Sequence, residues 1–275
     1  MYAFLRFPEW KYKAVTLSYD DGVIFDKKLI EIMNKYGLKC TFNINSELFA
    51  EETGGTRMTK DEATELYFNS PHEVAVHGAK HVALAEVSSE AATRDVIVDR
   101  ENLEKQFGRI IKGMAYAYGS YNDTVVEILK NCGIQYARTT VFTNKFELPI
   151  DWLRLSPTCH HTADNLDALT DEFLHLKEGG CFWRNSPKLF YLWGHSYEFN
   201  DNNNWEIIEN FAKKVGNRED IWYCTNGELY DYVKAYEKLE YSVDGKLIKN
   251  VTDTDIYLCY YGKNTFIKAG TITRI

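Results

Sequence analysis

The feature that most constrains this chain is a rhythm. Seven short runs rich in apolar, β-branched and aromatic residues occur at 14–18, 39–44, 73–76, 113–117, 134–138, 189–193 and 221–224. Between them lie longer stretches with apolar residues at helical spacing, as in Val96, Leu103 and Phe107 on the face that also carries Arg100. Two helix starts carry a capping box, Thr59 with Glu62 and Thr225 with Glu228. Gly37, Gly108 and Gly133 stand where helices should end. Strand–helix units in series indicate a parallel sheet covered by helices. An open doubly wound sheet is compatible with this α/β pattern, but seven units suit a barrel better. From about Glu240 the pattern changes to a hairpin around Asp244-Gly245 and alternating strand residues. Residues 1–239 are therefore expected to form the barrel, and 240–275 a small β appendage.

Other classes of chain are disfavoured. At 275 residues there is enough sequence for a large core. A net charge of −8 argues against nucleic acid as a partner. No apolar stretch approaches the roughly 20 residues that span a bilayer, so no membrane partner is expected. The N-terminus lacks the apolar core of a signal peptide, which implies a cytoplasmic protein, or a secreted one whose leader has been removed. Cys40, Cys132, Cys159, Cys181, Cys224 and Cys259 are widely spaced with no CxxC pair, which fits buried thiols.

In a parallel barrel, chemistry collects where strands end and helix-bound loops begin. Asp20 and Asp21 follow the first run, and such a pair is either a solvated Asp-Gly turn or a site where one carboxylate holds a cation and its neighbour handles protons. His77 ends the third run, with His81 four residues on. Tyr118 and Gly119 follow the fourth, Arg138 ends the fifth and His195 follows the sixth. The His77-x-x-x-His81 spacing on a helical turn would point both imidazoles one way. Alone it is weak and fits two surface residues. Joined to the paired Asp, it makes a two-imidazole, one-carboxylate set that leaves positions open for water and substrate.

Asp20-Asp21-Gly22, His77-x-x-x-His81, Tyr118-Gly119 and the late His195 resemble, in order and spacing, the polysaccharide deacetylase family, carbohydrate esterase family 4. The resemblance spans about residues 14 to 235. It implies a distorted (β/α)7 barrel of the polysaccharide deacetylase type, one divalent metal ion (zinc first, with cobalt, nickel or iron open), and removal of N-acetyl, or O-acetyl, groups from an N-acetylated sugar or oligosaccharide. Carried over residue by residue, it makes Asp20 the general base, Asp21, His77 and His81 the metal ligands, and His195 the general acid. The backbone N–H of Tyr118 would help hold the oxyanion. Asp151-Trp152 resembles the motif that lines the pocket and tunes the catalytic His, so Asp151 is expected to hold up the pKa of His195. Three departures stand out. Tyr19 replaces a Phe before the paired Asp, Gly78 replaces a hydroxyl residue, and Ala115 and Ala117 occupy the places of an Arg and a Pro. Arg138, at the next strand end, is the candidate to supply the missing charge beside Asp20.

Several residues keep two readings. His160 and His161 are expected in a long loop after the fifth strand, as rim residues touching substrate or as exposed polar groups. Trp152, Trp183, Trp193 and Tyr121 could stack on a sugar ring, with Trp152 favoured as pocket wall. Glu198 either steadies His195 or lies on the surface, and His72 and His175 look incidental. Two other functions stay open: hydrolysis of another C–N bond, such as a cyclic ureide or imide, and carbohydrate binding without catalysis. A retaining glycosidase is disfavoured, because adjacent Asp residues cannot flank a glycosidic bond with carboxyls about 5 Å apart on opposite sides.

Overall fold

A computed structural model describes residues 2–179 and 185–275, so Cys181 and Trp183 lie outside the described residues. A short N-terminal strand, β1 (Ala3–Arg6), precedes the barrel strands β2 (Lys13–Asp20), β3 (Cys40–Ile44), β4 (Glu73–Val76), β5 (Gly113–Ala115), β6 (Tyr136–Arg138), β7 (Cys159–His160), β8 (Lys188–Gly194) and β9 (Ile221–Tyr223). Helices α1 (Asp26–Lys35), α2 (Lys60–Phe68), α3 (Ser89–Phe107), α4 (Asp123–Asn131), α5 (Leu166–His175), α6 (Ser196–Asp201), α7 (Glu206–Val215) and α8 (Asn226–Glu237) lie between and after them. The strands run in the order β6-β5-β4-β3-β2-β8-β7, all parallel, with β9 against the first residues of β2. Between β6 and β7 no regular strand pairing spans the gap among the described residues; Arg138 bridges Leu155 in parallel, and the N–H groups of Thr143 and Asn144 donate to the carbonyls of Pro157 and Thr158. The result is a distorted (β/α)7 barrel, as the sequence leads one to expect.

Strand periodicity sorts the side chains. Val15, Leu17 and Tyr19 of β2, Phe42 of β3 and Phe190 and Leu192 of β8 are buried in the helical layer with Leu29, Met33 and Phe211. Side chains of this size contribute about 1.5–3 kcal/mol each when fully buried. The alternate residues face the lumen, because successive Cβ atoms of a strand point to opposite faces. They grade from apolar near the strand starts (Ala14, Leu189, Tyr191, Tyr136) to polar at the ends (Ser18, Asp20, Asn43, His77, Arg138).

Both capping boxes form, at Thr59/Glu62 and Thr225/Glu228. Gly108 closes α3 in the left-handed region at φ 62°, where a residue without Cβ costs least. Cys40, Cys132, Cys159, Cys224 and Cys259 are buried free thiols.

After α8 come β10 (Glu240–Tyr241), β11 (Leu247–Lys249), β12 (Ile256–Tyr260), β13 (Lys263–Ile267) and β14 (Ile272–Arg274). The Asp244-Gly245 turn joins β10 to β11, and β14 adds to the other side of β11. β12 pairs with β13 and also, antiparallel, with β1, Ala3 opposite Tyr260. The N-terminal strand thus shares a sheet with the C-terminal segment, a pairing no local pattern announces. Leu5, Phe7, Ile256 and Leu258 then share one core with Tyr232 and Val233 of α8 and with Ala14, Leu189 and Tyr191, closing the barrel floor.

Candidate active site

Asp20 ends β2 and is buried at the top of the lumen. Its Oδ1 accepts a hydrogen bond from Asn43 Nδ2 at 2.8 Å. Its Oδ2 accepts one from Arg138, whose Nε also donates to Ser18 Oγ at 3.2 Å. The guanidinium lies over the Trp193 ring, 4.2 Å from its centroid. Burial pushes the Asp20 carboxyl upward, but Arg138, His77 and His195 outweigh it and hold its pKa down at about 2. The sequence departure at Ala115 is thereby matched in space, since Arg138 stands against the carboxylate.

Asp21 turns the other way. Its backbone is left-handed at φ 83°, and its N–H donates to Asn43 O at 2.9 Å. This strained turn swings Oδ1 to 3.9 Å from His77 Nε2 and 3.6 Å from His81 Nε2. The Nδ1 of His77 pairs with Ala115 O at 2.8 Å, which as an N–H donor fixes the tautomer and leaves Nε2 free to face Asp21. Asp99 Oδ2 accepts from the His77 N–H at 2.9 Å, and Asn45 Nδ2 donates to the carbonyls of His77 and Gly78. Burial and nearby His77 pull the His81 pKa down to about 4 against Asp21, so the imidazole is neutral, as a ligand must be. Asp21, His77 and His81 have the chemistry and convergence to hold a divalent ion.

The HxxxH segment is not helical, which corrects the expectation. It is a turn with Gly78 at φ 81° and His81 at φ 56°. A Cβ on Gly78 would meet Asp95 Oδ2 at 2.3 Å, so Gly serves both the backbone and the space that Asp95 occupies. Tyr118 also has a positive φ, 58°, and its exposed ring stands edge-on to His81, 4.4 Å between centroids.

His195 follows β8, with Nε2 3.8 Å from Asp20 Oδ2. Its Nδ1 hydrogen-bonds Glu198 Oε2 at 3.2 Å. Burial lowers the His195 pKa, but Glu198 and Asp20 more than reverse this and raise it above the ordinary value. Asp151 was expected in that role. Instead it caps the short turn at Trp152 through the Leu153 N–H, pairs with Arg154 and borders a separate groove of about 600 Å³. Trp152 is corrected too. It lies in the core at the strand starts, its ring edge against Tyr230, far along the lumen from the strand ends. Tyr121 stacks on Tyr116, which belongs to the helical-layer core, and makes no ring contact with the Asp20 cluster. Trp193, by contrast, lines the lumen beneath His195.

Of the two histidines expected in a loop, His160 lies in a strand, while His161 stands in the turn just after it. His160 ends β7, which pairs with β8, and His161 is buried between Tyr19 and Phe199. Both Nε2 atoms approach Glu198 Oε2, at 3.3 and 3.2 Å. Burial works against the charge of Glu198, yet the three surrounding imidazoles drive its pKa well below the carboxylate range. Burial brings the His161 pKa down to about 4. His72 is buried, accepting from the Cys40 N–H, while His175 is exposed on α5.

Sequence reasoning missed Asn43, Asn45, Arg57 and Asp99. The two asparagines left a signal, alternate polar positions in the otherwise apolar β3 run. Arg57, which donates to the Asp21 carbonyl and lies 3.4 Å from its Oδ1, had none, because it arrives from a distant loop.

Known proteins bear on this geometry. The polysaccharide deacetylase family pattern matches residues 9–137, a segment holding Asp20, Asp21, His77, His81 and Tyr118 but ending before His195. No curated protein sequence matches significantly. Among solved structures, the Xyl-CE4 domain of a multidomain xylanase from the hindgut metagenome of Trinervitermes trinervoides superposes with TM-score 0.56 at 14% identity, covering 84% of this chain and 96% of that one. A CE4 family pseudoenzyme from Bacillus anthracis gives 0.50 at 18% identity over 83% and 68% of the two chains. The Streptococcus pyogenes deacetylase PplD is 25% identical with TM-score 0.42, and the match covers 46% of this chain and 55% of that one. Over residues 9–137 the sequence matches the polysaccharide deacetylase family, and the fold of the chain is similar to that of a carbohydrate esterase family 4 domain.

Proposed function

We propose that the protein is a metal-dependent hydrolase that removes N-acetyl groups from a carbohydrate. The observation that carries this reading is the placement of Asp20 Oδ2 within 4 Å of both His77 and His195, at the strand ends, with Asp21 and His81 completing a ligand set alongside. A divalent ion on Asp21, His77 and His81 would polarise the acetyl carbonyl and acidify a water.

The chain's own groups handle the protons. Asp20, ionised and oriented by Asn43 and Arg138, accepts one from the attacking water. His195 keeps its Nδ1 on Glu198, so Nε2 faces the lumen and can donate to the departing nitrogen. The Tyr118 turn offers its backbone N–H to the developing oxyanion. Asp20 is ionised and His195 is protonated over the same pH range, which general base and general acid require together.

Acetate release from a panel of N-acetylated sugars and oligosaccharides tests this, with a chelator-treated control and with O-acetylated and cyclic imide substrates alongside. The expected result is metal-dependent release from an N-acetylated sugar. His195→Ala should slow it roughly 10²–10⁴-fold while sparing an activated ester, whose leaving group needs no proton. Turnover of the cyclic imide alone, or equal loss on amide and ester, would overturn the assignment.

A further inference from the structure

The geometry points to a second divalent-cation site, made by His160, His161 and Glu198 and sharing no ligand with Asp21, His77 and His81. The three ligand atoms lie within 4.8 Å of one another. Glu198 Oε2 stands 3.3 Å from His160 Nε2 and 3.2 Å from His161 Nε2, closer than Asp21 stands to either of its histidines.

These close approaches are not well-aligned hydrogen bonds. The His161 side chain is 0% exposed, yet among the described residues neither of its ring nitrogens has a hydrogen-bond partner. Buried imidazole nitrogens are rarely left so. Two ligands bound at about 2.0–2.1 Å to one tetrahedral ion stand about 3.3 Å apart, each lone pair aimed at the ion and not at its neighbour. That arrangement accounts for both the separation and the misalignment.

The site is also built around its rings. Tyr19 and Phe199 flank His161, with centroids at 5.7 and 4.1 Å. A Cβ on Gly194 would fall 1.9 Å from His161 Nδ1, so Gly at this position leaves the ring its space. His160 Nδ1 stands 2.8 Å from Thr162 Oγ1 and 3.3 Å from the Thr162 N; binding an ion at Nε2 requires the tautomer in which Nδ1 donates to Oγ1. The side chains of His160 and Glu198 are 17% and 26% exposed, an entry path and room for a water as fourth ligand. Two imidazoles and one carboxylate suit zinc first. Because His195 Nδ1 bonds the same Oε2, an ion here would draw charge from Glu198 and loosen its hold on the His195 proton.

The test is zinc stoichiometry by elemental analysis after dialysis of the whole protein against micromolar zinc. Two ions per chain are expected in the parent, one in Asp21→Ala, one in His160→Ala and none in the double variant. His160 is partly exposed, and circular dichroism checks that its variant folds. Cobalt loading gives a second readout: Asp21→Ala should keep the intense visible bands of a four-coordinate site, and His160→Ala should remove those bands from the Asp21→Ala background. One ion in the parent that His160→Ala leaves untouched would overturn the second site, as would none at all. One ion lost in His160→Ala but kept in Asp21→Ala would uphold the second site and sink the first.

Discussion

The two ends of the barrel lumen are made by the same strands and differ in almost everything else. At the strand starts, Ala14, Tyr136, Leu189 and Tyr191 pack with Trp152 and with the sheet of β1, β12 and β13 into an apolar floor. At the strand ends, the lumen-facing residues at or just past the ends of β2, β3, β4 and β6 are Asp20, Asn43, His77 and Arg138, all buried and almost all paired. Burying charge costs more than burying methylenes unless each group finds a partner. The floor therefore holds the fold together, while the rim holds groups in states that water would not allow. Asp20 near a pKa of 2, beside an imidazole whose pKa is raised, is the clearest instance.

Three variants would break or sharpen this contrast. Arg138→Ala should have the largest effect. It leaves Asp20 buried without its cation, so the carboxyl pKa should climb from about 2 and the acid limb of the pH–rate profile should move toward neutrality. Turnover should fall at least 10²-fold at pH 6 while the metal content of the Asp21 site is unchanged. An unaltered acid limb would show that Arg138 does not hold the charge of Asp20.

Trp152→Ala should act at the other end. Emptying a large aromatic position in the floor should cost about 3–5 kcal/mol in denaturant unfolding, with kcat for the surviving folded protein near the parent value. A large fall in kcat without loss of stability would return Trp152 to the pocket.

The smallest effect belongs to Asp26, buried beneath the rim, where Tyr67 and Ser196 donate to its carboxyl. Burial raises its pKa to about 7 despite those bonds. A carboxyl raised in the folded state favours folding fully below its unfolded pKa near 3.8, and that contribution fades as pH rises to about 7. Parent stability should therefore lose this contribution between pH 4 and pH 7, and Asp26→Asn should show a flatter profile in thermal melts. Parallel profiles for parent and variant would refute the shift.

Much of this was legible in the sequence because it is local. Strand residues at the ends of apolar runs must sit at the rim of a parallel barrel, which placed Asp20, His77, Arg138 and His195 together before any coordinates. The helix caps at Thr59 and Thr225 are four-residue patterns and formed as read. What failed was non-local or a matter of backbone strain. The His77–His81 spacing fits a helical turn equally well, and only the left-handed φ values of Gly78 and His81 make it otherwise. Asp151 lies near His195 by motif order but not in space, where Glu198, three residues along, takes the hydrogen bond. Trp152 carries no mark of which end of the lumen it faces. β7 is two residues long, too short for any periodicity, so His160 and His161 read as loop.

The pairing of Ala3 with Tyr260 has a consequence for the order of assembly. Contacts between residues this far apart in sequence are the costliest to close, and the pairs β2–β3, β3–β4, β4–β5 and β5–β6 are far more local. The β2–β6 part of the wall should consolidate first, β8 and β9 should then join β2, and the β1–β12 seam should form last. Amides of β1 should then be among the latest to gain protection in pulsed hydrogen exchange, later than those of β2 and β3. A chain stalled before that step would carry a finished rim above an exposed apolar floor, a species prone to aggregate through the very surface that the last strands cover.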